Sequence, residues 1–501
     1  MLLSDLVDVS AAVRATRSRT EKVALLADGL RGATPAETGL VATYLAGALR
    51  QRRTGLGWRT VGEVIVPPAG RPTLTVTEVD AAFEEIGALS GPASATRRRE
   101  AWGALLARAT APEQEWLRAI ATGEVRQGAL DSLLLDAVAR ATGVPVTAVR
   151  RAAMLAGSSA HVAAVAATGG EDALAEIGLE AGRAIRPMLA GSEPDVPTAL
   201  GRLLEQAPGP HAVEVKLDGL RIQAHRVGEE VRVYSRSLDD LTARVPAVVE
   251  AVRALPVTDV VLDGEALVLD ADGRARPFQE STAKGAALVP RFFDLLHHDG
   301  DDLIDEPAHA RWAALDHLVP AELRVERLLT DSPDDAEAFA ARALDAGHEG
   351  VVLKGAHTPY AAGRRGAGWI KVKPRRTVDL VVLAVEWGSG RRSGKLSNIH
   401  LGAREPDSGD LVMVGKTFKG MTDAMLAWQT ERFLGLETHR EGQVVHVRPE
   451  QVVEIAFDGV QRSTRYPGGV ALRFARVVGY REDKSPAEAD TLDVLRAGLD
   501  G

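Results

Sequence analysis

The stretch EVKLDGLR, Glu214–Arg221, decides how the chain is read. In a β-strand successive side chains alternate between faces, so Glu214, Lys216 and Asp218 fall on one face and Val215 and Leu217 on the other. Two carboxylates flanking one lysine describe either a solvated strand face or a prepared nucleophile. A lysine amine attacks only when deprotonated, and its ordinary pKa is about 10.4. Burial or nearby cations lower that value, whereas adjacent carboxylates raise it. Lys216 therefore needs a basic, phosphate-binding surround from elsewhere in the chain.

Such a surround lies downstream. From Val351 to Val378 there is no carboxylate, against seven Lys or Arg that include Lys354, Arg365, Lys371 and Lys373. In WIKVK, Trp369–Lys373, alternation puts both lysines on one side of a strand; read alone, this is an amphipathic surface strand. The formal net charge of −9 argues against a polyanionic partner. The acids, however, concentrate in HHDGDDLIDEP and DSPDDAE, and that segregation suits a phosphate-rich ligand held in one cleft.

Working outward, HAVEVKL, VRVYSRS, DVVLDGEALVL, GVVLK and WIKVK read as strands, and DAEAFAARALDAG as a covering helix. Residues 186–375 are thus expected to form a mixed α/β domain. Before it, residues 1–185 are rich in Ala, Leu, Arg and Glu at helical spacing, which predicts an all-α domain. After it, KPRRTVD, Lys373–Asp379, reads as a linker. Residues 376–501 are mostly strands with one helix, TDAMLAWQTERFLG, and predict a small OB-fold β-barrel.

At 501 residues, with 45% hydrophobic and 26% charged side chains, the chain is expected to be a soluble protein of several domains. No apolar run is long enough to span a bilayer. The opening MLLSDLVDVS lacks the pattern of a signal peptide, so a cytoplasmic, nucleoid-associated location and no membrane partner are expected. The absence of cysteine excludes disulfides, thiolate nucleophiles and cysteine-bound zinc.

K-x-D-G alone is weak. After it, in order, come YSRS, LDGEAL, FFDLL, EGVVLK, WIKVK and GYREDK. With this ordered set the chain resembles the covalent nucleotidyltransferases, and specifically the ATP-dependent DNA ligases, over essentially its whole length. The resemblance implies an ATP-grasp-like adenylation domain in which Lys216 attacks the α-phosphate of ATP. AMP held on that lysine then passes to the 5'-phosphate of a nick, and the 3'-hydroxyl displaces it. Glu214 would contact the adenine edge, Phe293 (or Phe292) would stack on the base, and Asp218 matches an essential acid beside the lysine. Arg221, Arg236, Arg365, Lys371 and Lys373 would hold AMP and the nick phosphate, together with Glu265. Glu265 and Glu349 would support Mg2+, which takes only one or two carboxylates besides phosphate and water. Arg481, Asp483 and Lys484 would orient the pyrophosphate, with the hinge at KPRRTVD.

The helical region resembles the DNA-binding domain of the three-domain ligases in YLAGALRQRRTGLGWRTV and WLRAIATGEVRQGALDSLLLDAVARA. Arg50, Arg52, Arg53 and Arg126 would there contact the backbone of nicked double-stranded DNA. RPMLA, Arg186–Ala190, resembles the lead into the catalytic domain. A monomer is expected, and no convincing sliding-clamp peptide is present. Competing readings are an RNA ligase or capping-type nucleotidyltransferase, and a nick-binding scaffold without activity.

Overall fold

The computed structural model describes residues 1–51, 53–125, 131–269, 287–361, 365–373 and 376–499. It divides into two compact units, Met1–Lys371 and Val372–Gly501. Arg52 and Arg126 lie outside the described residues.

The first unit begins with helices running from Leu3–Ala15 to Ser159–Ala175. Their starts are written in the sequence. Thr75 with Glu78 and Thr110 with Glu113 close capping boxes, satisfying backbone donors that the first helical turn leaves free. Their apolar faces meet in one core, where Tyr44 sits edge-on to Trp116 with centroids 5.5 Å apart.

Beyond the helices the described residues form ten strands: β1 (Leu189–Glu193), β2 (His211–Val215), β3 (Leu220–Val227), β4 (Glu230–Ser235), β5 (Asp259–Leu267), β6 (Val289–His298), β7 (Asp301–Asp302), β8 (Arg327–Thr330), β9 (Val351–Lys354) and β10 (Arg365–Val372). They form two five-stranded sheets, ordered β1-β10-β9-β2-β8 and β4-β3-β5-β6-β7. Ile222, Ala224, Val233 and Leu262 bury one face of the second sheet against Val248, Val249 and Val252 of the helix Pro246–Arg253. Asp294 in FFDLL is fully buried, and Arg311 meets it with two hydrogen bonds of 2.8 and 3.0 Å. The other guanidinium donor of Arg311 is held by the carbonyls of Glu306 and Thr358. The pair is thus fully hydrogen-bonded, which burial of two charges demands.

The segment entering β1 is stapled to the second sheet by side chains. Gln223 brackets Ile185, accepting from its N–H at 2.8 Å and donating to its carbonyl at 3.3 Å, and the Tyr234 hydroxyl donates to the carbonyl of Gly182. His225 accepts the Gly182 N–H at Nδ1 (3.1 Å) and lies 2.8 Å from the Gln223 side-chain oxygen through Nε2. Those partners require the neutral, Nε2-protonated ring.

In the second unit the strands are β11 (Arg376–Trp387), β12 (Leu396–Arg404), β13 (Leu411–Thr417), β14 (Glu437–Glu441), β15 (Val444–Val447), β16 (Val452–Phe457), β17 (Gly459–Arg462), β18 (Val470–Arg473) and β19 (Arg476–Arg481). One sheet runs β13-β12-β11-β15-β14, with β16 also on β11 and β19 on β16. The long β11 makes this possible by changing partner along one edge, from β16 at Arg376–Val381 to β15 at Ala384–Glu386. The helix Asp423–Gly435, capped by Thr422, adds Leu426 and Phe433 to the core.

Two expectations need correction. Among the described residues no sheet closes into a barrel, because β17 and β18 turn aside as a separate ribbon. Between β13 and the segment leading into β18, the Gly468 N–H donates to the Met413 carbonyl at 3.1 Å. The linker is also shorter than KPRRTVD suggests: Arg376–Asp379 already pair with Glu454–Phe457, and Val378 is buried. No helix among the described residues is long and apolar enough to cross a membrane.

Burial lowers the pKa of His225 from 6.5 to about 3. The folded state therefore excludes a proton that the unfolded chain binds below pH 6.5. The stability this ring contributes is complete above that value and is lost as pH falls from 6.5 toward 3, at up to about 1.4 kcal/mol per pH unit. Urea titrations of His225→Asn against wild type across that window should show a shallower acid loss in the variant.

Candidate active site

β2 is buried along its whole length because it lies between β9 and β8, so it is not a half-solvated strand. Glu214 stands opposite Arg327 on β8 and Val352 on β9. Its carboxylate, 2% exposed, is met at 2.7 Å by Arg327 and at 2.5 Å by Lys354. Burial pulls the Lys354 ammonium pKa down, against the pull of Glu214. The basic stretch thus folds back as expected, but part of it neutralises Glu214.

Lys216 is the first residue after the strand. Its backbone continues the ladder onto β9, donating to the Gly350 carbonyl at 2.8 Å and accepting from the Glu349 N–H at 3.1 Å. This fixes the base of the side chain, whose ammonium pairs with the Glu349 carboxylate. The loop then passes against β5. A Cβ on Gly219 would lie 2.7 Å from the Ala266 carbonyl oxygen and 2.9 Å from Cγ of Glu265, so only glycine permits that approach.

Arg221, at the start of β3, faces Asp263 on β5. Its Nε and Nη2 donate to the two carboxylate oxygens at 2.9 and 2.7 Å, and Nη2 also reaches the Met188 carbonyl at 3.1 Å. The Tyr360 hydroxyl donates to Asp263 at 2.6 Å and accepts the Met188 N–H at 2.9 Å. The result is a closed ring of hydrogen bonds. Burial opposes the charged guanidinium, but Asp263 overrides it, and the Arg221 pKa moves up. Burial likewise drives the Tyr360 hydroxyl well above its ordinary value, keeping it a donor.

Glu265, two residues along β5, makes no side-chain hydrogen bond among the described residues. Burial pushes its carboxyl up to about 7, against the opposing pull of Arg221 and Lys216. A carboxylate whose charge is disfavoured by burial, and which shares the field of Lys216 with Glu349, fits a hard divalent cation bound by oxygen. Phe292 is fully buried in the core. Phe293 is half-buried and packs edge-on against Trp369 at 5.7 Å, with Lys354 4.2 Å from both rings and Arg221 5.1 Å from Phe293.

These contacts bring Glu214, Lys216, Arg221, Glu265, Phe293 and Glu349 together. Asp218 lies near enough to act on the charge of Glu265. Arg236 is exposed in the turn after β4. Lys371 is part of β10, as is the backbone of Arg365, whose side chain lies outside the described residues. In the second unit Lys373 lies 3.8 Å from Asp458. Arg481 is held by Asp483 at 2.9 and 2.7 Å and lies 3.4 Å from Asp379, which Lys484 meets at 2.5 Å. In the helical region Arg50 is occupied by Asp80 (2.9 Å) and Glu84 (2.8 Å), and Arg53 is exposed.

Asp263, Tyr360 and Arg327 did not stand out in the sequence. Asp263 carried a signal: a carboxylate following Val260, Val261 and Leu262 in one apolar run must find a partner if buried.

Comparison with known proteins gives consistent matches. Residues 187–373 match the family described as ATP dependent DNA ligase domain, 392–484 the ATP dependent DNA ligase C terminal region, and 66–139 the DNA ligase N terminus. A "Probable DNA ligase" of a Nocardioides species is 60% identical over 510 residues, covering 100% of this chain and 99% of its own. Another, of Kineococcus radiotolerans, is 59% identical over 99% of each chain. The solved structure Pmar-Lig_PreS3 shares the fold at a TM-score of 0.59, with 19% identity, 95% of this chain and 99% of that one covered.

Replacing Asp263 with alanine leaves Arg221 buried beside Met188 without its counter-charge. The expected loss is about 3–5 kcal/mol of stability of the first unit, read in urea by circular dichroism. Wild-type stability in Asp263→Ala would show that the ring is dispensable.

Proposed function

The chain belongs to the ATP-dependent DNA ligase family, and from that premise we propose that it seals 5'-phosphate/3'-hydroxyl nicks in duplex DNA through a lysyl-AMP and a DNA-adenylate. The observation carrying the assignment of Lys216 is its placement: the base is fixed by β9, and the amine lies among Glu349, Glu265 and Arg221.

In the first step the Lys216 amine attacks the α-phosphorus of ATP; an N–P bond forms, and the bond to pyrophosphate breaks. The ammonium must first give up a proton, and Glu349 is the carboxylate within reach. Positioning and charge neutralisation supply most of the acceleration in phosphoryl chemistry. Glu265 and Glu349 would hold Mg2+, which supplies charge neutralisation on the phosphate oxygens when bound. Arg221 presents Nη1 to AMP and then to the nick phosphate, its other donors being committed to Asp263 and Met188. Phe293 stacks on adenine, and Glu214, held by Arg327 and Lys354, faces its edge. Asp218, Arg236, Arg365, Lys371 and Lys373 complete the nucleotide and phosphate contacts.

The domain reading is 1–185 for DNA, 186–375 for adenylation and 376–501 for an open OB-type sheet carrying Arg481, Asp483 and Lys484 toward pyrophosphate. Arg53 offers an exposed cation to the DNA backbone. Arg50 would have to exchange Asp80 and Glu84 for phosphate to do the same. The enzyme is read as a monomer.

Incubation with ATP labelled at the α-phosphate should give an acid-labile protein adduct. The adduct should transfer to nicked duplex and be absent in Lys216→Ala. Labelling from GTP but not ATP would favour a capping enzyme, and no adduct from wild type would reject the assignment. Gly219→Ala, which pushes the lysine loop away from Glu265, should slow adduct formation by roughly 10- to 100-fold.

A further inference from the structure

The hairpin of β14 and β15 turns at Gly442–Gln443, with Gly442 in the left-handed region at φ +60°. Its register pairs His439 with His446 and Glu441 with Val444. Residues directly opposite share a face, as do residues two apart on one strand, so His439, Glu441 and His446 project together. The two imidazoles stack with centroids 4.3 Å apart and planes within 3° of parallel. The Glu441 carboxylate lies 3.9 Å from Nε2 of each ring.

One donor atom from each residue lies within 4.8 Å of the other two, and no other such group of three occurs among the described residues. Thr438 Oγ1 lies 3.2 Å from Nδ1 of His439, the kind of outer partner that fixes the tautomer when Nε2 ligates an ion. Arg440 points the other way, paired with Glu437 and 6.0 Å from the Trp387 ring, so it does not compete for Glu441. Farther across the same sheet, His400 on β12 and Lys416 on β13 are both held by Glu386 on β11.

We propose that His439, Glu441 and His446 bind a divalent transition-metal ion of the zinc class. Two imidazoles and one carboxylate suit such an ion, whereas magnesium prefers oxygen alone. Zinc–ligand bonds of about 2.0–2.2 Å place tetrahedral donors about 3.3–3.6 Å apart, so closure needs the donors to draw in and the parallel rings to tilt until both in-plane lone pairs converge on the ion. The fourth position opens to solvent, and the bound ion clamps the two strands beside their turn.

The test uses tag-free full-length protein, stripped with chelator and kept in millimolar magnesium so that oxygen-only sites are filled. Cobalt(II) is titrated and followed by its visible absorption, then zinc in competition with a chromophoric indicator. One saturable equivalent per chain is expected, weakened by at least ~100-fold in His446→Ala and about 10-fold in Glu441→Gln. Glu265→Gln, altered only in the first unit, should retain it. His439→Gln, at the more exposed ring, serves as second variant should His446→Ala melt lower without metal. No saturable equivalent in wild type, or wild-type affinity in both histidine variants, overturns the proposal.

Discussion

The Asp263 carboxylate, 1% exposed, accepts two bonds from Arg221 and one from the Tyr360 hydroxyl. Removing such a group from water costs several kcal/mol unless every lone pair finds a donor. The donors come from separate places: Arg221 from β3, Tyr360 from the segment after β9, and Met188 from the approach to β1 completes the ring. Both sheets of the first unit are therefore tied at one point. The same point sets the aim of Arg221, which then flanks Phe293 and Trp369 and acts on Glu265. A stabilising element and a ligand-facing wall are one structure.

That arrangement changes how the lysine's surround is understood. The sequence offers two acidic neighbours, Glu214 and Asp218, as the charges Lys216 must overcome. Glu214 is instead neutralised by Arg327 and Lys354, and the carboxylate that meets Lys216 is Glu349, brought in by β9. The end of β2 and the residue after it thus carry ion pairs in close succession. The first is buried, with the Glu214 side chain 3% exposed; the second is more open, with Lys216 and Glu349 at 21% and 19%.

Much of this was legible in the sequence. The strands at EVK, LDGEAL and VVLK, the helical first region and the ordered motifs all follow from local pattern. What escaped depends on distant pairing. Glu214 reads as surface charge because alternation cannot reveal that β2 has a neighbour on each side. Thr377–Asp379 read as linker because Pro374 and the adjoining arginines dominate the composition; pairing with β16 makes them strand. Barrel closure depends on bonds between the first and last strands, which no local pattern encodes. Asp263 and Asp294 were the missed opportunities, since acids inside apolar runs announce a buried partner.

The cluster around Asp379 has a consequence for ligand choice. Arg481 and Lys484 both lean on this nearly buried carboxylate, and Arg481 in turn holds the pKa of Asp483 down to about 2. Any anion claiming these cations must outbid acids already in place. A singly charged ligand gains little by that exchange, whereas a polyphosphate offers more charge than the carboxylates it displaces. In the proposed reaction these carboxylates would thus favour pyrophosphate over singly charged anions, an effect that salt weakens.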